Sequence, residues 1–211
     1  MITLAVRPLT LFRVLVTVAL VLLGLSLVSD IVYLGLGHLD RGYYTFDLDQ
    51  ESNVPTWWAS LQEGLLGLVC LEIGRRARAR RTRHGLSWLL LGVAMLFVSA
   101  DEIAGLHEQL SGHITDLTGR DDGIFRYGWV LVALPVVVVF VLAVAPMMFS
   151  LPRTIALELV AGGFLFVLGS AVLEAVGGSL VGAGWSETSW PVVLEYTVEE
   201  TFELLGVAIA F

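Results

Sequence analysis

The sequence predicts an all-α, polytopic transmembrane bundle of six helices with a cytoplasmic N-terminus. Three observations carry that prediction. Hydrophobic residues make up 56% of the 211-residue chain and charged residues only 15%, against about 45–50% and about 25% in soluble domains. Mean hydropathy is +0.82, and the apolar residues fall in long runs rather than being scattered, which is the membrane pattern. All twelve basic residues are arginine, and six of them lie in one short stretch between two runs, Arg75–Arg83.

The runs read as six segments of one transmembrane domain, residues 1–211. The first, 12–37, follows Arg7 and Arg13, and no small-x-small cleavage site comes after it, so it reads as an uncleaved signal anchor. The second, 54–74, starts at Asn53-Val54-Pro55-Thr56, a polar cap with proline in the first turn. Trp57 and Trp58 then fall at interface depth. The third spans 86–106. The fourth, 127–149, contains Pro135 and Pro146 as expected kinks. The fifth is 154–176, and the sixth opens at Trp190-Pro191 and runs 190–211. At about 1.5 Å per residue each is long enough for a hydrocarbon core of roughly 30 Å. The sixth has no Arg or Lys to anchor its far end, which leads to the expectation that the natural chain continues beyond Phe211.

Charge placement orients the segments. Short loops rich in Arg stay cytoplasmic, so the Arg75–Arg83 loop, the N-terminus and the Pro152-Arg153 turn are expected inside. Arg41, Arg120 and Arg126 are left outside. The acidic residues do the reverse: eighteen of twenty, all but Glu72 and Glu158, fall in the outer loops or outer helix halves. The positive-inside rule does not require this, because acidic residues contribute little to topology. The expected location is the inner (plasma) membrane, with the acidic face extracytoplasmic.

Two blocks concentrate the chemistry. The third segment ends Ser99-Ala100-Asp101-Glu102-Ile103-Ala104-Gly105-Leu106-His107-Glu108. Asp101 lies roughly 22 Å from the cytoplasmic end, still within hydrocarbon. At about 100° per residue Asp101 and Glu108 share a face, while Glu102 points about 100° away. In the sixth segment Glu195, Glu199 and Glu203 form one i, i+4, i+8 stripe with Glu200 beside it. Glu174 lies at the same level of the fifth segment, on a stripe of Ser170, Gly178 and Gly182 that should face another helix.

A bare carboxylate at a helix centre costs about 2.5–3.5 kcal/mol on insertion scales, and like charges at i, i+4 repel. No lysine is present to neutralise them. Protons, a water-filled cavity or bound cations remain as compensation. The metal set expected from this pattern is Asp101, Glu102, His107, Glu108, Glu199 and Glu203. Glu174, Glu195, Glu200, Asp47, Asp49 and Glu51 are additional candidates, with His38 and His113 as further nitrogens. Oxygen with imidazole suits Zn, Mn or Fe, and carboxylates alone suit Ca or Mg. One shared site would make the third and sixth helices neighbours, with Asp101 or Glu102 near Glu199 or Glu203.

Other chemistries fit poorly. Without lysine no retinal or pyridoxal Schiff base can form. The Glu-x-x-His pattern of di-iron bundles is absent. Asp47-x-Asp49-x-Glu51-x-Asn53 resembles the start of an EF-hand loop, but Ser52 replaces its glycine and Trp58 its bidentate glutamate. A helix-capping lead-in explains the same residues. Gly162-Gly163 and Gly177-Gly178 read as packing glycines rather than phosphate cradles, and Ser99 stands without a nucleophilic partner set. The single cysteine, Cys70, lies in an apolar run and is expected as a buried thiol.

The blocks Phe46-Asp47-Leu48-Asp49 through Trp57, Ala100-Asp101-Glu102 to His107-Glu108, and Glu199-Glu200 to Glu203-Leu204-Leu205-Gly206 resemble a family of bacterial multi-pass membrane proteins. The resemblance covers most of the chain and implies a topology but no function. The residues themselves point first to a cation- or metal-binding membrane protein, with a metal-dependent enzyme at the outer leaflet as one form of it. The other readings are a non-catalytic subunit of a larger assembly and a proton or cation conductor. Expected partners are the lipid bilayer and a second copy or another membrane protein; nucleic acid is not among them.

Overall fold

The computed structural model describes residues 7–36, 41–119 and 127–211. His38, Asp40, Arg120, Asp121, Asp122 and Arg126 lie outside the described residues, as does the side chain of Arg41. Among the described residues every regular element is helical: α1 (Pro8–Leu36), α2 (Arg41–Phe46), α3 (Val54–Ala79), α4 (Gly85–Ala104), α5 (Leu106–Thr118), α6 (Trp129–Met148), α7 (Arg153–Val167), α8 (Glu174–Gly182) and α9 (Trp190–Ala210). A π-helical turn, Leu168–Leu173, joins α7 to α8.

Among the described residues four helices are long and apolar enough to cross a membrane: Pro8–Leu34, Gly85–Ala104, Trp129–Met148 and the continuous Arg153–Gly182. Their apolar side chains point outward, with Val139, Leu142 and Leu157 each about two-thirds exposed (67%, 68% and 67%). Such surface is stable against lipid rather than water. α6 runs unbroken through Pro135 and Pro146. The third segment ends sooner than expected, at Ala104, and α5 follows as a separate helix.

α3 and α9 are long enough as well, at 26 and 21 residues, but their charges keep them out of the strongly apolar class. α9 runs through the middle of the bundle, whereas α3 packs on α4 and α9 and leaves Trp57, Leu65 and Leu68 on the outside. Asn53 caps α3 by accepting from the Thr56 N–H at 3.1 Å, with Pro55 in the first turn. Asn53 also donates to the Asp47 carbonyl at 2.6 Å, so the acidic loop is a capping structure, and Asp47 itself is buried.

α3 and α4 pair antiparallel on a seven-residue register of small residues: Ser60 against Ser99, Gly67 against Gly92, Gly74 against Gly85. The serines bond reciprocally, Ser60 Oγ to the Ser99 carbonyl at 2.7 Å and Ser99 Oγ to the Ser60 carbonyl at 2.8 Å. A Cβ on Gly67 would stand 3.0 Å from the Gly92 carbonyl oxygen, and one on Gly92 would stand 2.8 Å from that of Gly67. Backbones this close need small residues, and a seven-residue repeat keeps them on one seam.

α9 packs on α7, the π turn, α1, α8 and α3. Its crossing with α7 has Gly206 against Gly162. Polar ties fix its register. Gln62 Nε2 donates to the Leu204 carbonyl at 3.3 Å, and the Tyr196 hydroxyl donates to Asp30 at 3.0 Å. The expected third-to-sixth neighbour relation is therefore made through α3, which packs on both α4 and α9. Cys70 is 1% exposed, in a cluster with Leu66 and Val207.

Candidate functional site

The site forms where α4 breaks. Gly105 adopts left-handed backbone, φ +55°, which glycine reaches without a Cβ penalty, and the chain turns there into α5. The Asp101 side chain caps the new helix. Its Oδ1 accepts from the His107 N–H at 2.9 Å, and Oδ2 lies 3.0 Å from His107 Nδ1. A carboxylate at a helix N-terminus is favoured by the dipole, and here it also orients the imidazole. With Nδ1 engaged, Nε2 is the nitrogen left for a ligand.

Glu51 and Glu108 flank Gly105; a Cβ there would lie 3.1 Å from Glu51 Oε2 and 3.2 Å from Glu108 Oε2. One ligand atom each from Glu51, His107 and Glu108 falls within 4.8 Å of the others. Ligands about 2.0–2.6 Å from a common ion are separated by no more than roughly this distance. Trp129 closes one side. Its ring meets His107 edge-on at 5.5 Å, and its indole N–H donates to both Glu174 oxygens at 2.9 and 3.0 Å.

The titrations of the mouth follow from this packing. Burial alone would lower the His107 imidazole, but the Asp101 hydrogen bond and charge, with Glu174 and Glu51, raise it to about 9. Glu51 is raised by burial and by Glu108. Asp49, desolvated and beside Asp47, Glu187 and Glu195, is pushed up to about 7.

Behind the mouth a second group assembles. Glu102 points into the bundle, within electrostatic range of Glu200 and Glu203 on α9, and Glu63 of α3 faces the same group. Glu195 packs over Gly177, where a Cβ would lie 3.0 Å from its Cδ. Glu203 is seated against Gly169 of the π turn, where a Cβ would meet its Cγ at 2.8 Å.

The residues expected from sequence thus separate by depth. Asp101, His107 and Glu108 meet at the mouth, and Glu51 joins them there. Glu102, Glu200 and Glu203 lie deeper, while Glu199, Glu195 and Glu174 line the α8 side. His113 turns away and bonds the Gln109 carbonyl at 2.7 Å. Glu63 was not among the candidates. Its signal was present: it lies between Ser60 and Gly67 on the small-residue seam that faces another helix.

These features define an all-helical bundle with membrane-length apolar helices and an acid-lined interior. Residues 13–211 match the family model described as "Domain of unknown function (DUF8692)", and the chain belongs to that family. No curated protein and no solved structure matches it.

Proposed function

We propose that this is an inner-membrane protein of six spans that binds a divalent metal ion at the extracytoplasmic mouth of its bundle. The ligands are Glu51, His107 and Glu108, and Asp101 orients the imidazole. The supporting observation is the approach of the three ligand atoms to within 4.8 Å, with Asp101 3.0 Å from the second ring nitrogen. A mixed nitrogen–oxygen set suits Zn, Mn or Fe better than Ca. On this reading α3 and α9 cross the membrane: Glu63 of α3 is buried within the bundle, the remaining α3 charges cluster at its Arg-rich end, and α9 packs its acidic stripe among its neighbouring helices. The Arg75–Arg83 end lies in the cytoplasm.

Three protein ligands leave coordination positions for water or a substrate. That is the arrangement a metal-dependent enzyme at the outer leaflet needs. Elemental analysis of the purified protein after dialysis against Zn²⁺ or Mn²⁺ tests the site. The parent is expected to retain metal, and His107→Ala and Glu108→Gln to bind it about 10–100-fold more weakly. Equal retention by parent and both variants overturns the assignment.

A further inference from the structure

Six of the twelve arginines fall within Arg75–Arg83, and they divide by what holds them. Arg75 and Arg76 are engaged by Glu72: Arg75 donates through Nε and Nη2 at 2.7 and 2.8 Å, and Arg76 through Nε at 2.6 Å. Arg78 lies in the last turn of α3, where the helix dipole favours a cation. Its stem packs over Gly85, where a Cβ would lie 2.7 Å from Arg78 Cγ. Arg80, Arg81 and Arg83 lie at or beyond the helix end and are exposed, and among the described residues no carboxylate pairs with them.

The turn that carries these three is fixed by its own backbone. The Thr82 N–H and hydroxyl both donate to the Ala77 carbonyl, at 2.9 and 3.0 Å, and the Arg81 N–H donates to the Arg78 carbonyl at 3.0 Å. This is the pattern that ends a helix in a left-handed residue, usually glycine. Arg81 occupies that position at φ +53°, which a glycine would adopt without a Cβ penalty. Topology asks only for positive charge somewhere in the loop, not for arginine at the one position that favours glycine.

What the turn faces follows from α4. Gly85–Ala104 is long and apolar enough to span a membrane, and it starts directly after the turn, with Leu86 and Leu90 exposed along its first turns. The three arginines therefore stand at the level where hydrocarbon gives way to headgroups, and anionic headgroups attract clustered basic side chains there. Guanidinium matches phosphate through paired N–H donors. We propose that Arg80, Arg81 and Arg83 form a docking surface for the headgroups of anionic phospholipids in the leaflet at this end of the bundle. The mouth lies beyond the other end of α4, and the assignment is independent of metal binding there.

Phosphatidylglycerol is the probe, titrated against phosphatidylcholine into the full chain in detergent, with binding read from the rise in the thermal unfolding midpoint. Phosphatidylglycerol is expected to raise the midpoint of the parent above that in phosphatidylcholine, and Arg80→Gln/Arg83→Gln to weaken this lipid about tenfold or more. Arg7→Gln/Arg13→Gln removes the same charge elsewhere and is expected to keep the effect. Arg81→Gly separates binding from folding. It should match or exceed the parent's midpoint in phosphatidylcholine, because glycine suits the left-handed backbone, yet gain less from phosphatidylglycerol. Equal midpoints of the parent in the two lipids overturn the surface, and so does an equal loss in the two double variants, which would mean general charge alone. The same rise from inorganic phosphate at matched phosphate concentration would assign the arginines to a soluble anion and overturn the lipid.

Discussion

At His107 burial and the Asp101 hydrogen bond pull in opposite directions, and the bond wins, raising the ring to about 9. The unfolded imidazole titrates near about 6.5. The folded protein therefore holds a proton that the unfolded chain has released between those values. This contribution to stability is complete below about pH 6.5 and is lost as pH rises through about 9. Asp49, pushed from 3.8 to about 7, acts in the same direction over a lower window. Metal-free protein should thus lose thermal stability from pH 7 to 9.5, with a shallower slope in His107→Gln. A metal ion needs the neutral ring, so binding at pH 7 should release close to one proton from His107. Calorimetry in buffers of different ionisation enthalpy reads that release directly, and binding with no proton released would remove His107 from the ligand set. Sequence spacing alone paired Asp101 with Glu108 on one face. It could not show that Gly105 breaks the helix and returns His107 onto Asp101, because one glycine's φ is settled by packing.

Among the elements, the α3–α4 pair owes most to small residues. On Gly92 a side chain would meet Leu71 Cγ at 2.7 Å and the Gly67 carbonyl at 2.8 Å, whereas on Gly163 it meets nothing within 4 Å. Gly92→Leu is expected to lower stability by about 1–3 kcal/mol through overpacking, with Gly163→Leu close to neutral. Thermal unfolding of the two variants in one detergent makes the comparison, and equal midpoints would mean that the Gly67–Gly92 contact is not close. The seven-residue spacing of Ser60, Gly67 and Gly74, with Glu63 on the same seam, is present in the sequence but was not read from it, because it does not stand out against the longer apolar runs. The π turn at Leu168–Leu173 was not legible. It carries no distinctive residue, and it is recognised only by what rests on it, the Glu199 carbonyl and the Glu203 side chain against Gly169.

For the whole molecule, apolar run length predicted the helical membrane class and four of its long helices, because lipid-facing surface must be apolar all along the span. It is least informative for α3 and α9, whose polar and acidic residues lower their hydropathy although Glu63 of α3 is buried and α9 is packed among its neighbours. Whether these two helices span decides the topology, and sidedness decides it experimentally. α4 alone separates Arg78 from Leu117, so these two positions belong on opposite faces. With α9 spanning as proposed, the chain from Leu117 to Phe211 makes three crossings, through α6, the α7–α8 helix and α9, which return it to the face of Arg78. Cysteines at Arg78, Leu117 and Phe211, with native Cys70 buried, should therefore react with an impermeant thiol reagent in a fixed pattern. In intact cells Leu117→Cys is expected to label, and Arg78→Cys and Phe211→Cys only after permeabilisation. Phe211→Cys labelling together with Leu117→Cys would mean that α9 does not cross. Labelling of Arg78→Cys and not Leu117→Cys would invert the bundle and turn the mouth toward the cytoplasm, since its six clustered arginines would then lie on the outer face against the positive-inside rule.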